Sequence, residues 1–378
     1  MTRRQCRVCR RPLFDEPLLR YANLPRVAQF LPDHSALESD RGVDLDIWQC
    51  SGCGLVQLDA DPVPYYRDVI RAAGLSAEMR AFRLGQFAGL IDRFSLRGKK
   101  MLEIGCGRGE YLSLLREAGM DASGIEHSAE SVTACHAAGL SVSEGFVASE
   151  DDLVPGGPFD GFAIFNFLEH LPDPNGTLAG IHRNLSDNAI GLVEVPNFDM
   201  MLQERQFAEF MSDHLCYYTA ATLTTALSIN GFEVLSCTEE WYRYILSAVV
   251  RKRQPHNLAD FHARQARLGD EIHAYIRRFP PRRVAMWGAG HQALALMALF
   301  GLQGSIRYVI DSAPFKQGKY TPATHIPIVA PDALEHDPVD AVIIAAAGYS
   351  DEVARMVRSR FDPALSVVIC RESGLEPV

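Results

Sequence analysis

Two C-x2-C pairs lie near the start of the chain, Cys6-Arg-Val-Cys9 and Cys50-Ser-Gly-Cys53, with residues 10–49 between them. One such turn brings two thiolates to a single ion. Two turns supply four soft sulfur ligands at the corners of a tetrahedron, the donor set that suits Zn2+. Four thiolates leave no open coordination position, so a zinc held there is structural. The plainer alternative is four separate buried thiols. Two histidine–carboxylate pairs follow, Glu169-His170 and Asp213-His214. Imidazole is the natural proton acceptor near neutral pH. Two glycine-rich turns complete the set, Gly105-Cys-Gly-Arg-Gly109 and Gly288-Ala-Gly-His-Gln-Ala293. Each follows an apolar run and leads into a helical pattern. Each is followed by an acid closing the next apolar run, Glu126 and Asp311. Glycines let a backbone approach a ligand closely, and an acid at that place accepts ribose hydroxyls.

The surrounding pattern predicts the elements that must hold these residues. Asp44–Leu58 reads as a hairpin carrying the second cysteine pair. Residues 61–94 turn helical, with Met79, Phe82, Phe87, Leu90, Ile91 and Phe94 near helical spacing. Strands are expected at Lys100–Ile104, Ala122–Ile125, Phe159–Phe165 and Ala189–Glu194, with a helix over Asn175–Leu185. Alternating strands and helices imply a doubly wound parallel sheet. A connecting helix over Asn257–Phe279 ends at Pro280-Pro281. A second α/β unit then begins, with strands at Val284–Trp287, Arg307–Ile310, Val339–Ala345 and Ser366–Ile369 and a helix over Leu294–Phe300. Three domains are expected, over residues 1–62, 63–255 and 256–378.

Composition bounds the function. The 378 residues are 47% hydrophobic and 22% charged, ordinary for a globular chain and wrong for a disordered one. The longest apolar candidates, Ala293–Leu302 and Ala341–Ala347, are too short to span a bilayer. The segment MTRRQCRVCRR has no apolar stretch of secretory type, and a cytoplasmic, soluble protein is expected. A net charge of −10 disfavours bulk binding to nucleic acid or anionic membranes. The arginines at 3, 4, 7, 10, 11, 20 and 26 then read as a solvated surface beside an anionic thiolate site. Of the nine cysteines, four pair as above and Cys106 lies in a glycine turn; Cys135, Cys216, Cys237 and Cys370 need no role beyond packing.

Glu103-Ile-Gly-Cys-Gly-Arg-Gly109 resembles the first motif of class I S-adenosylmethionine (SAM) methyltransferases, and Phe159–Pro174 resembles their later strand and loop. More specifically, the chain is similar to the nucleotide-sugar C-methyltransferases, which alkylate C3 of 4-keto-deoxysugars. The similarity lies in Leu24-Pro-Arg-Val-Ala-Gln-Phe-Leu31, in Trp48–Leu58, in Tyr308–Gly318 and in Thr324-His-Ile-Pro-Ile328. The resemblance implies a class I methyltransferase sheet with an N-terminal zinc-knuckle domain and a C-terminal Rossmann-like domain. It implies SAM at Glu103, Gly105, Gly107, Gly109, Glu126 and Asn166. The structural zinc falls on Cys6, Cys9, Cys50 and Cys53. A nucleotide-linked sugar is the expected partner, with Gly288, Gly290, His291 and Lys316 as its cradle. By the same resemblance, His214 is the general base and Asp213 orients or charges it, while His170 and Tyr217 or Tyr218 contact substrate oxygens.

Carbon is a poor nucleophile unless a neighbouring ketone lets it lose a proton. Such an enzyme therefore needs a base and donors for the developing enolate oxygen. The sequence departs from the family at two tyrosines. The stretch after the zinc segment reads Tyr65-Tyr66-Arg-Asp through Met79, and the residues before His214 read Phe210-Met-Ser-Asp213. A rough alignment leaves both tyrosine positions non-tyrosine, and the second histidine pair is Asp-His instead of Glu-His. Three alternatives stay open: O-methylation of a sugar or other small molecule, a zinc-knuckle RNA-binding or regulatory protein with a vestigial SAM site, and a dinucleotide at Gly288–Ala293.

Overall fold

The computed structural model describes residues 4–27, 29, 31–67 and 75–378. The chain divides into two compact units, Met1–Pro255 and His256–Val378. The first runs β1 (Leu19–Leu24), β2 (Val43–Gln49), β3 (Val56–Leu58), α1 (Ala77–Phe94), β4 (Lys100–Ile104), α2 (Glu110–Ala118), β5 (Asp121–Glu126), α3 (Ala129–Ala137) and β6 (Val142–Glu144). It continues with β7 (Phe159–Phe165), α4 (Pro174–Arg183), β8 (Leu185–Pro196), α5 (Phe198–Glu204), β9 (Cys216–Tyr217), α6 (Ala220–Ile229), β10 (Phe232–Glu240) and β11 (Ile245–Lys252).

The main sheet has the order β10-β11-β8-β7-β4-β5-β6. Strands β6, β5, β4, β7 and β8 are parallel, and β11 runs antiparallel to β8. This is the expected doubly wound sheet, closed at one edge by the β10–β11 hairpin. Helices cover both faces, so the central strands read as apolar runs. Four of the five residues of β4 are buried, as are six of the seven of β7. The strand order reverses between β4 and β7, which opens a crevice at their carboxyl ends.

Local chemistry sets the helix boundaries. Ser76 caps α1, its hydroxyl accepting from the Met79 N–H, and Ser95 ends the helix in the left-handed region. Helix α1 therefore begins at Ala77 and not near residue 61; residues 64–67 form a turn, and residues 68–74 lie outside the described residues. Thr219 and Thr222 form a reciprocal capping box on α6.

The cysteine-bearing segment forms a smaller sheet, β1-β2-β3-β9, whose last strand comes from the body of the unit. Strands β2 and β3 make the expected hairpin, with Ile47 opposite Leu58. Cys6, Val8, Leu13, Trp48, Cys50 and Leu55 share one apolar core with Ile104, Phe162, Leu168 and Tyr218. Leu45, Ile47, Val56 and Leu58 pack on Phe198, Met200, Leu215 and Tyr217. Removing these side chains from water at roughly 25 cal/mol per Å2 is what fastens the segment to the sheet.

The second unit runs α7 (Ala259–Ile276), β12 (Val284–Trp287), α8 (His291–Leu299), β13 (Ile306–Ile310), β14 (Ile328–Val329), α9 (Ala333–His336), β15 (Ala341–Ile344), α10 (Ser350–Arg360), β16 (Ser366–Cys370) and β17 (Leu375–Pro377). Its sheet order is β14-β13-β12-β15-β16-β17, parallel except for β17. This is the expected Rossmann-like unit, with the order reversing between β12 and β15. Among the described residues, no helix is long and apolar enough to cross a membrane.

Candidate active site

The first glycine turn leaves β4 at the sheet's carboxyl edge. Gly105, Gly107 and Gly109 all have positive φ. A Cβ on Gly105 would lie 3.1 Å from the Phe167 ring, and one on Gly109 would run into the Leu140 side chain. Glycine is therefore required by conformation and by space at both positions. Glu126 closes β5 and fixes the turn: its carboxylate accepts from the Gly107 N–H at 2.8 Å and from the Ser128 N–H at 2.9 Å. Beside it lies a small cleft lined by Gly105, Glu126, His127, Phe146, Phe167 and Arg67. Phe146 meets both Phe167 and His127 edge-on. Glu103 is buried within β4. Asn166 sits at the tip of β7 with φ of 47°, and its buried side-chain oxygen has no hydrogen-bond partner. An acid behind a glycine turn, an aromatic slot and an orphaned acceptor together fit the ribose, adenine and ammonium groups of SAM.

From Phe167 the chain makes one tight turn, Leu168–His170, and brings both histidine pairs together. The His170 and His214 rings lie 4.7 Å apart, edge to face. With His170 Nδ1 assigned the proton, it donates to the Asp213 carbonyl at 2.8 Å. That bond turns Nε2 toward Glu169, 3.8 Å away. Glu169, His170 and His214 each offer a nitrogen or oxygen within 4.8 Å of the others. Glu169 is buried, with one carboxylate oxygen unpartnered, and burial pushes its carboxyl up to about 8. Burial likewise pulls His170 down to about 4. His214, partly open to solvent, is held well below the ordinary imidazole value by burial and by His170 beside it. Each group is thus pushed toward its neutral form, and the cluster carries little net charge in water-poor surroundings.

The structure relocates several expected residues. The Asp213 carboxylate accepts the Tyr65 hydroxyl at 3.0 and 3.2 Å, while its carbonyl serves His170. Asp213 therefore positions His170 and holds a tyrosine, beyond the expected task of orienting His214. Tyr217 stands 6.1 Å from His214 by ring centroids, but its hydroxyl is engaged by Met211, accepting from the N–H at 3.0 Å and facing the carbonyl at 3.2 Å. Tyr218 is fully buried in the core shared with Cys6 and Cys216, and its hydroxyl feels both Cys216 and Glu169. Sequence reasoning missed the Tyr65–Asp213 contact and a fully buried Arg83–Glu194 pair, 2.5 Å apart, in which Gln86 and Ser247 also donate to Glu194. An arginine inside the predicted apolar stripe of α1 was the available signal for that pair.

The four thiols converge. Cys6 and Cys53 sulfurs are 3.6 Å apart, Cys9 and Cys50 3.3 Å, and all four lie within 4.8 Å of one another. Tetrahedral Zn–S bonds of ~2.3 Å require S···S distances of about 3.8 Å. Backbone N–H groups of Val8 and Cys9 point at the Cys6 sulfur, and those of Gly52 and Cys53 at the Cys50 sulfur. These donors stabilise thiolate charge, so the donor set fits a zinc ion. The Cys53 thiol is drawn down to about 5, chiefly by the hydrogen bond with Cys6.

In the second unit, the Gly288 N–H donates to Ile310 and the Ala289 N–H donates to the Asp311 carboxylate at 2.8 Å. A Cβ on Gly288 would meet the Ala345 carbonyl at 2.7 Å. Gly290 caps α8 without a side-chain acceptor, and His291 is exposed at the first turn. The Lys316 ammonium is paired with Asp311 at 2.8 Å. Burial alone would raise the Asp311 carboxyl, but Lys316 and the two backbone amides hold it below its ordinary value.

Comparison with known proteins agrees with this geometry. A methyltransferase-domain model matches residues 79–237, and a C-methyltransferase C-terminal-domain model matches residues 249–364. The chain is 24% identical to the C-methyltransferase NovU of Streptomyces niveus over 388 aligned positions, covering 92% of this chain and 91% of that one. It is 38% identical to a ubiquinone biosynthesis O-methyltransferase of Methylococcus capsulatus, over only 24% of this chain and 40% of the relative. The magnesium protoporphyrin IX methyltransferase of Synechocystis, solved with bound S-adenosylhomocysteine (SAH), covers 50% of this chain and 93% of its own at 14% identity and a TM-score of 0.39. Sheet order, glycine turn and domain match define a class I SAM-dependent methyltransferase. Within that class, the match over residues 249–364 is to the C-terminal domain of C-methyltransferases.

Proposed function

We propose that the chain methylates the carbon beside the ketone of a nucleotide-linked ketodeoxysugar, with His214 as the base. The observation that carries this reading is the match of the second unit to the C-terminal domain of C-methyltransferases, alongside a histidine cluster at the SAM-side edge of the first unit. SAM supplies a methyl already activated on a sulfonium centre. Gly105, Gly107, Gly109, Glu103, Glu126 and Asn166 hold it, and their task is to place that methyl in line with the attacking carbon.

His214 starts neutral, as an acceptor must. Once it takes the ring proton, His214 carries the positive charge beside the Glu169 carboxyl, which lies within 4.8 Å of it. The Tyr65 hydroxyl donates its proton to Asp213; redirected to the substrate, that proton would serve the enolate oxygen in place of the family tyrosines missing from the alignment. His170 and Tyr217 or Tyr218 shape the sugar's seat. Gly288, Gly290, His291 and Lys316 form a cradle for the nucleotide phosphates, for which Lys316 must exchange the Asp311 carboxylate for a phosphate. A zinc ion on Cys6, Cys9, Cys50 and Cys53 stabilises the small sheet. The test uses a ketosugar nucleotide deuterated at the acceptor carbon, with mass spectrometry of the product. Methylation with loss of one deuterium is expected. Full retention of deuterium would mean an oxygen acceptor and would overturn the carbon assignment.

A further inference from the structure

We propose that Arg7, which lies between the first two zinc-site cysteines, is a positioning residue for methyl transfer. Its guanidinium joins the thiolate segment to both chain segments that frame the histidines. This rests on the reading that His170 and His214 serve the reaction.

One Arg7 nitrogen donates to the Pro172 carbonyl at 2.9 Å, two residues beyond His170. The other terminal nitrogen donates to the Leu58 carbonyl at 3.2 Å and the Ala60 carbonyl at 2.6 Å. Leu58 ends β3, and its own N–H donates to Leu215, the residue after His214. The Leu215 N–H in turn donates to the Glu169 carbonyl at 2.8 Å. Strand β3 also pairs with β9 through Val56 and Tyr217. One planar cation thus spans the loop after His170 and the strand that registers His214. Two flanking bonds repeat the attachment: the Asn175 amide donates to the Val8 carbonyl at 2.7 Å, and Arg10 pairs with Asp173 at 2.7 Å.

The chemistry favours this role over surface solvation. Arg7 spends its fork on three neutral carbonyls from two segments, with no carboxylate among them. A guanidinium can meet several carbonyls at fixed angles, whereas an ammonium on a flexible stem cannot. Displacing a reacting group by ~1 Å costs on the order of 100-fold in rate. The SAM-binding turn is fastened separately, by Glu126, and does not depend on these bonds.

The test compares wild type, Arg7→Met and Arg7→Lys as full chains with their metal content measured. Turnover is read as SAH released per chain with the accepted substrate, whichever atom is methylated, so failure of the carbon assignment stays separable. Arg7→Met is expected to keep its zinc and its SAH affinity within about twofold, to lose on the order of 30- to 100-fold in kcat, and to show a shifted acid limb in its pH–rate profile. Arg7→Lys should recover part of the rate. Unchanged kcat overturns the proposal. A loss of kcat that tracks equal losses of zinc and SAH affinity also overturns it, because Arg7 would then only support the fold. If Arg7→Met does not accumulate, Asn175→Ala serves instead: a fall in kcat with zinc and SAH affinity intact supports the clamp, and unchanged kcat overturns it.

Discussion

The two glycine turns of this chain begin alike and end differently. Each leaves a buried parallel strand, each enters a helix, and each donates a backbone amide to an acid at the end of the neighbouring strand: Gly107 to Glu126, Ala289 to Asp311. Glu126 has no ion pair among the described residues, and its cleft is walled by aromatic rings. Asp311 is neutralised by Lys316 from its own loop. An acid without a cation suits the two hydroxyls of a ribose. An acid already holding an ammonium is a poor ribose acceptor, but it keeps a cation poised for a phosphate. The same supersecondary unit thus carries an acid with no ion pair among the described residues in one place and an acid paired with a lysine in the other, which is why we propose the nucleoside end of SAM for the first and a phosphate for the second. A dinucleotide held by Asp311 through its ribose is disfavoured by the same ion pair.

The largest expected effect separates chemistry from binding. His214→Ala should lower kcat by about three orders of magnitude, the usual worth of a general base, while SAH affinity and nucleotide affinity stay within twofold. Stopped-quench turnover and calorimetry on one preparation check both. Near-normal turnover would remove His214 as the base. Next in size is the pair of acids. Glu126→Ala should weaken SAH binding by roughly 100-fold, since it removes two backbone anchors of the turn as well as the ribose acceptor. Asp311→Ala should leave SAH affinity unchanged. Equal effects from both substitutions would dissolve the distinction between the turns.

A third contrast is in pH. His170 and His214 are held below their unfolded values, so each costs stability as pH falls below about 6.5, at ~1.4 kcal/mol per unit. Glu169 is held above its unfolded value near 4.5, so its neutral form costs stability as pH rises, up to about 8. Two histidines outweigh one carboxyl on the acid side, and the carboxyl acts alone on the alkaline side. Asp213, Tyr65 and Tyr217 also face this cluster, and Tyr217 is pushed up by burial, out of that window. The first unit's stability should therefore peak near pH 6.5, and Glu169→Gln should flatten the alkaline limb in thermal scans. The second unit supplies no matching limb from Asp311, whose depressed carboxyl titrates only as pH falls through the acid range.

How much of this was legible in the sequence follows from where each contact is made. The β4–turn–α2–β5 unit rests on neighbours in the chain: an apolar run, glycines at positive φ and helical spacing. Pattern reasoning reaches all three. The paired cysteines carried their convergence in their spacing. The β10–β11 hairpin was not legible, because β10 is only partly buried and mixes Glu, Ser and Thr with Val and Leu. The meeting of His170 with His214, and of Tyr65 with Asp213, depends on β9 docking against β3. No local signal encodes that docking. Tyr217 and Tyr218 look equivalent in sequence, and only the folded chain shows the Tyr217 hydroxyl engaged by Met211 and the Tyr218 side chain buried in the core shared with Cys6 and Cys216.

The smallest expected effect tests the second turn directly. Lys316→Met should weaken binding of a nucleoside diphosphate by about tenfold, the loss of one charge-assisted contact, and leave SAH affinity alone. The size is modest because wild-type Lys316 must first give up Asp311, so phosphate gains only the difference between two ion pairs. That exchange makes a sharper variant available. Asp311→Asn leaves the amide contact to Ala289 possible but releases the lysine, and it should tighten diphosphate binding where Lys316→Met weakens it. Titration calorimetry at two salt concentrations separates the outcomes: screening should reduce the gain in Asp311→Asn more than it affects Lys316→Met. If both variants weaken binding alike, Asp311 and Lys316 act together as a structural pair and the phosphate lies elsewhere on the unit.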